Sequence, residues 1–197
     1  MTLTFWFDVH SPWCYLAAHR VGDIARKHGR ELLWRPLHLP RLSDAIGGRR
    51  PLEANAAFLA WYSQDLRDWA ALQGLPVNYH PQYPLRNSRA LRACLYATDV
   101  GKAEAFVKRV FRAYWSEAGD IGDLDSLARW GDECGLDGAA ITAAAQSEAF
   151  KDRIEANTQE AIARGVFGVP TVDTGSKLYF GNDRLDLLDL HLTRIRA

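Results

Sequence analysis

Leu3, Phe5, Phe7 and Val9 alternate along the start of the chain with Trp6 on the opposite face, a period of two that predicts a strand covered on both sides. At Ser11-Pro12 the period changes. Leu16-Ala17-Ala18 and Val21 recur at helical spacing to about His28-Gly29, where the glycine predicts a stop. Glu31 to Leu37, carrying Leu32, Leu33 and Trp34, reads as a second strand, joined to the first by a right-handed parallel crossover. Pro36 and Pro40 end it, and Gly47-Gly48-Arg49-Arg50-Pro51 reads as a loop.

From about residue 52 to 165 the period is helical throughout. Phe58, Trp61, Tyr62, Leu66 and Trp69 form one apolar stripe; Leu91, Cys94, Leu95 and Thr98 form another; Phe106, Val107, Val110, Phe111, Tyr114 and Trp115 a third. Further helices are predicted from Asp123 to Cys134, Asp137 to Ala145 and Ser147 to Arg164, the last stopped by Gly165. Strand character returns at Val169 to Asp173 and Lys177 to Gly181, with Thr174-Gly175-Ser176 as the turn, before Leu185, Leu187, Leu188 and Leu192 mark a closing helix. The order β-α-β, helical block, β-β-α predicts an α/β fold in which residues 1–44 and 166–197 make one unit and 45–165 an inserted helical domain.

The chain has 197 residues, 48% hydrophobic and 24% charged, which is globular composition, and its net charge is zero. No basic face is available for nucleic acid. Met1 leads directly into a strand, without the charged and apolar regions of a cleaved leader, and no run of about 18 apolar residues occurs. A cytoplasmic protein with no membrane partner is expected. Cys14, Cys94 and Cys134 are too widely spaced for a disulfide framework or a zinc set, and are expected reduced, the last two on apolar helix faces.

Chemistry concentrates at Ser11-Pro12-Trp13-Cys14. Ser11 falls at an N-cap and Pro12 at the first helical position, which places the hydroxyl beside the unpaired amides of a helix terminus that favours negative charge. The spacing is that of a redox Cys-x-x-Cys with serine in the place of the exposed, low-pKa sulfur. A serine hydroxyl exchanges no disulfides, but it can donate a hydrogen bond to a thiolate brought by another molecule. This predicts a thioredoxin-like site that has lost disulfide exchange. Asp8, His10 and Ser11 are the residue types of a hydrolase triad, yet neighbours on one strand cannot adopt its geometry. His10 and Cys14 lack further metal ligands, so no metal is expected, and His10 is read as lining the pocket or the strand end.

Phe7-Asp8-x-x-Ser11-Pro12-x-x-Tyr15-Leu16-Ala17, Asp65-Leu66-x-x-Trp69-Ala70, Val166-Phe167-Gly168-Val169-Pro170-Thr171 and Gly181-Asn182-Asp183-Arg184-Leu185 resemble the corresponding segments of 2-hydroxychromene-2-carboxylate isomerases and their relatives, the kappa-class glutathione transferases, within the DsbA-type branch of the thioredoxin superfamily. The resemblance spans nearly the whole chain. It implies a cis peptide before Pro170 that turns the backbone of Val169 toward a peptide-like ligand beside Ser11, and glutathione as that ligand. Its γ-glutamyl end would lie at Asn182, Asp183 and Arg184. Relatives place a lysine in the first inserted helix for the glycine carboxylate; Glu53 to Trp69 contains none, leaving Arg41, Arg49, Arg50 or Arg67.

The activity implied is a glutathione-dependent isomerisation of an aromatic or chromene carboxylate in aromatic catabolism, with Ser11 catalytic, by a homodimer. Trp13, Tyr15 and aromatic residues of the inserted helices would form the substrate wall. Asn87-Ser88-Arg89 resembles a segment facing the substrate, and Arg35 or Arg89 would hold its carboxylate. Three alternatives remain open: a transferase that consumes glutathione, a thiol–disulfide oxidoreductase using Cys14 alone, and a binding module without turnover.

Overall fold

The computed structural model describes residues 2–48 and 55–196. β1 (Leu3–Phe7) runs into α1 (Pro12–Lys27), which returns through β2 (Leu32–Pro36); after α2 (Leu39–Ala45) come α3 (Ala56–Gln73), α4 (Ser88–Asp99), α5 (Ala103–Ser116), α6 (Leu124–Glu133), α7 (Gly138–Gln146) and α8 (Glu148–Ala163), then β3 (Thr171–Asp173), β4 (Leu178–Phe180) and α9 (Leu185–Arg196). The four strands form one mixed sheet in the order β2-β1-β3-β4. β1 and β2 are parallel with Phe5 opposite Trp34, β1 and β3 antiparallel with Trp6 opposite Thr171, and β3 and β4 antiparallel with Val172 opposite Tyr179. The sheet thus joins the two ends of the sequence across the helical block.

The two-faced hydrophobicity of β1 follows from its central place in this sheet. Leu3, Phe5, Trp6, Phe7 and Val9 are all fully buried. Phe5 and Phe7 meet the edge of Trp34 at ring-centroid distances of 5.2 and 6.1 Å, and Phe7 meets Phe111 of α5 at 5.9 Å. Trp115 of α5 donates its indole N–H to the Val9 carbonyl at 2.9 Å, fastening the inserted helices to the end of the strand that carries the site. Within the block, Gly131 allows the close approach of α6 and α7: a Cβ there would lie 2.8 Å from the Ile141 side chain.

One element departs from the expected pattern. Pro40 does not end a strand but occupies the first turn of α2, whose N-cap His38 accepts from the Arg41 amide, as a proline can where an N–H has no partner to lose. Among the described residues no helix is long and apolar enough to cross a membrane. Cys14, Cys94 and Cys134 are free thiols, the first two buried. Arg49, Arg50 and Glu53 lie outside the described residues.

Candidate active site

The site begins where β1 turns into α1. Ser11 caps the helix with extended backbone (φ −91°, ψ 115°), and its Oγ accepts the Cys14 amide at 3.2 Å while Pro12 fills the first turn. The preceding turn is built on Asp8, which is fully buried. Its Oδ1 accepts the His10 amide at 2.9 Å and the Asn87 side-chain amide at 2.6 Å, and its Oδ2 accepts the Leu39 amide at 2.7 Å. One carboxylate therefore ties the starts of α1, α2 and α4 together. His10 lies next to it, with Nε2 on the Leu85 carbonyl and its ring against Tyr83 and Tyr114.

Cys14 is the sulfur that the sequence retains, and it is wholly buried. Burial pushes its thiol pKa far up, against a smaller opposing hydrogen bond from Ser11. A thiol held neutral is a poor nucleophile for disulfide exchange, which disfavours a redox site based on Cys14 alone.

The far wall comes from α3 and the segment after it. Tyr62 meets the edge of the Trp13 indole at 5.7 Å with an interplanar angle of 85°. Phe58 packs on Tyr62 at 6.0 Å, and Tyr79 meets the edge of Tyr83 at 5.1 Å. Burial, reinforced by Tyr79, raises the Tyr62 pKa, and burial pushes Tyr83 up to about 12. All these phenols stay protonated at neutral pH.

The other end of the sheet completes the arrangement. The β1–β3 register pairs Trp6 with Thr171, so the segment preceding β3 lies at the same end of the sheet as the β1–α1 turn. Val169-Pro170 is a cis peptide there, as is Tyr83-Pro84 elsewhere. The Gly168 carbonyl accepts from Thr171 Oγ1 at 2.7 Å and the Pro170 carbonyl accepts from the Gly181 amide at 2.9 Å.

Gly181 opens the turn into α9 with φ +106°, and a Cβ at this position would lie 2.6 Å from Asp183 Oδ1. The glycine is therefore what lets the Asp183 carboxylate fold over the turn. Arg20 of α1 donates to the Asn182 carbonyl at 3.0 Å, pairs with Asp186 and lies over the Trp69 ring at 5.6 Å. Gln73 of α3 donates to the Asn182 side-chain oxygen at 3.3 Å. Asn182 is buried, yet its Nδ2 has no partner among the described residues. Asp65 of α3 has its pKa raised by burial and by the negative charge of Asp183 and Asp68. Asp183 itself is exposed, with Arg184 at 3.4 Å.

Several candidate residues have other employment. Tyr15 is a correction: it is buried against Phe111 with its hydroxyl on Ser116 at 2.9 Å, so it belongs to the α1–α5 core instead of a substrate wall. Asn87 is committed to Asp8 and makes no side-chain cap, Ser88 is exposed, and Arg89 donates to the Gly122 carbonyl at 2.7 Å. Arg35 bonds Asn157 at 2.8 Å and Glu160 at 3.2 Å, and Arg41 pairs with Glu155. Arg67 bonds Gln64 at 3.1 Å and lines a shallow cavity of about 280 Å³ with Ala70, Gly74, Leu75 and Val77. The sequence did not single out the buried Asp8 brace, Arg20 or Gln73 as site residues, and it covered Tyr62 only among the aromatic residues of the inserted helices; of these only Asp8 lay in a resembling motif.

Comparison with known proteins adds a consistent picture. The profile of the DSBA-like thioredoxin domain matches residues 2–193. The chain is 35% identical to a 2-hydroxychromene-2-carboxylate isomerase of Pseudomonas putida over 99% of its own length and 96% of the relative's. It is 31% identical to one of Sphingobium xenophagum over 97% of each chain. A solved 2-hydroxychromene-2-carboxylate isomerase superposes with a TM-score of 0.87 at 33% identity, covering 99% of this chain and 96% of that one. With a serine-capped first helix, a buried lone sulfur and likeness along the entire length, the chain belongs to the 2-hydroxychromene-2-carboxylate isomerase family of DsbA-like thioredoxin folds.

Proposed function

We propose that this protein isomerises 2-hydroxychromene-2-carboxylate, or a closely related aromatic keto acid, to its trans open-chain form with glutathione as cofactor. The observation that carries the reading is Ser11: a hydroxyl fixed at the N-terminus of α1, above a buried and unreactive Cys14. That end of a helix favours an anion by about 0.3–1 kcal/mol, more where partly buried.

The residues present suit the tripeptide. The acidic field of Asp65, Asp68 and Asp183, which adds to burial in raising Asp65, would be relieved by an ammonium group, and the unpartnered Asn182 Nδ2 is a donor for a carboxylate. The Val169 backbone is the candidate partner for the peptide portion. Arg67 has no carboxylate partner among the described residues and is the described arginine left for the glycine end. When bound, glutathione supplies a thiol that adds to a conjugated carbon and is expelled again, so that a double bond becomes single long enough to rotate.

Ser11 donates its O–H to the sulfur, and the amides of the first turn of α1 hold the negative charge there. Trp13, Tyr62, Tyr79 and Tyr83 present aromatic surface to a flat substrate. The same reading makes the protein a cytoplasmic homodimer acting in aromatic breakdown. The test is turnover of the chromene carboxylate with and without glutathione: Ser11→Ala is expected to lose most glutathione-dependent turnover while retaining glutathione binding. Full turnover in Ser11→Ala would remove Ser11 from the chemistry. Glutathione recovered unchanged distinguishes isomerisation from conjugation.

A further inference from the structure

We propose that Tyr62 is a catalytic residue of this reaction, its hydroxyl donating a hydrogen bond to the keto oxygen of the substrate, with Trp13 as the positioning residue that aims it. The inference rests on the isomerase reading and adds to it the group that receives charge at the end of the substrate remote from the sulfur.

The geometry is specific. Trp13 stands in the first turn of α1, two residues after Ser11, and its indole meets Tyr62 nearly perpendicularly at 5.7 Å. This edge contact holds the Tyr62 ring beside the helix start that carries Ser11. No described residue accepts a hydrogen bond from the Tyr62 hydroxyl, which leaves its proton for a ligand. Tyr62 is half-buried, and its raised pKa keeps the proton in place at neutral pH. Tyr83, by contrast, is packed among Tyr114, Trp115 and Tyr79.

The reaction has a need for such a donor. In the ring-opened substrate the hemiketal carbon–oxygen bond has broken and the hydroxyl proton has passed to the phenol oxygen, which frees the keto group; attack of a thiolate on the conjugated carbon of this form makes one carbon–sulfur bond and pushes the carbon–carbon π pair toward the keto oxygen. Reversal returns the pair, re-forms the double bond and breaks the carbon–sulfur bond, with no net proton transfer. A fixed donor at the keto oxygen stabilises the charge while it is there, and removing one such donor typically costs about 10²–10³ in kcat.

The test is Tyr62→Phe, which removes one oxygen and keeps the ring. Two readouts are needed: isomerisation kinetics, and calorimetric titration with phenylpyruvate, an unreactive aromatic keto acid, in the absence of glutathione. Expected are a fall in kcat of about a hundredfold, weaker phenylpyruvate binding and unchanged glutathione affinity. Trp13→Phe should produce a smaller loss, and the double variant no more loss than Tyr62→Phe alone, since both act through one hydrogen bond. Undiminished kcat and phenylpyruvate affinity in Tyr62→Phe would overturn the proposal. Wild-type protein with no glutathione-dependent turnover would instead overturn the isomerase reading, and the phenylpyruvate arm would still decide whether Tyr62 binds a keto acid.

Discussion

Replacing Asp8 with alanine removes the acceptor on which the entrance to the site is built. Three donors lose their partner at once: the His10 and Leu39 amides and the Asn87 side chain, at 2.9, 2.7 and 2.6 Å. Each buried donor left unsatisfied costs about 1–3 kcal/mol. The loss is offset in part because a buried carboxylate itself carries a desolvation penalty of several kcal/mol. A net destabilisation of about 2–4 kcal/mol is expected, which for a chain of this length lowers Tm by about 4–16 °C. Because Ser11 donates its amide to the Asp8 carbonyl at 3.1 Å, the cap moves with the turn. Glutathione affinity should therefore fall together with Tm. Thermal unfolding followed by circular dichroism checks the first, and titration the second. Asn87→Leu should cost less, and the Asp8→Ala/Asn87→Leu double variant less than the sum, since the two side chains share a bond. An Asp8→Ala protein melting within about 3 °C of wild type would refute the idea that this carboxylate braces the three helix starts.

Four further outcomes follow from the geometry. Gly181→Ala would place a Cβ against Asp183 Oδ1 at a positive φ, and glutathione affinity should fall about tenfold, roughly 1.4 kcal/mol, by calorimetry. Arg20→Met frees the Asn182 carbonyl and should raise KM for glutathione several-fold with little change in kcat, the signature of lost uniform binding. Cys14→Ala should leave turnover intact while costing about 1–2 kcal/mol of stability for the vacated core volume; abolished turnover would put the buried thiol in the mechanism. Hydrogen bonds from Lys27 and His28 hold the Asp189 carboxyl below its usual pKa. Its stabilisation is thus fully present above about pH 3.9 and lost as pH falls below that value. Asp189→Asn should lower Tm by about 2–4 °C at neutral pH, for roughly 1 kcal/mol, and by less in acid.

How far the sequence foretold this structure depends on whether a feature is local. The period of β1, the Ser11 cap, the apolar stripes of α4 and α5 and the β3–β4 turn are written in neighbouring residues, and the structure follows them to within a residue or two. Pro40 misled because a proline ending a strand and one starting a helix look alike until His38 is seen to cap it. Tyr15 misled because a tyrosine in the first turns of a helix can face the cleft or the core, and only the position of Phe111 and Ser116 decides. Asn87 looked like a cap to a helix or a contact to substrate; its partner is Asp8, 79 residues away. Arg20 and Gln73 meet at Asn182 from different helices, a juxtaposition no periodicity reports.

The central claim is that the start of α1 and the Ser11 hydroxyl stabilise a sulfur anion that the chain does not itself carry. The direct measurement is the ultraviolet absorbance of the thiolate as the protein–glutathione complex is titrated with base, for wild type and Ser11→Ala. The bound thiol should ionise at least about one unit below free glutathione, worth about 1.4 kcal/mol, and Ser11→Ala should return part of that shift. A bound thiol that ionises like the free tripeptide in both proteins would contradict the account.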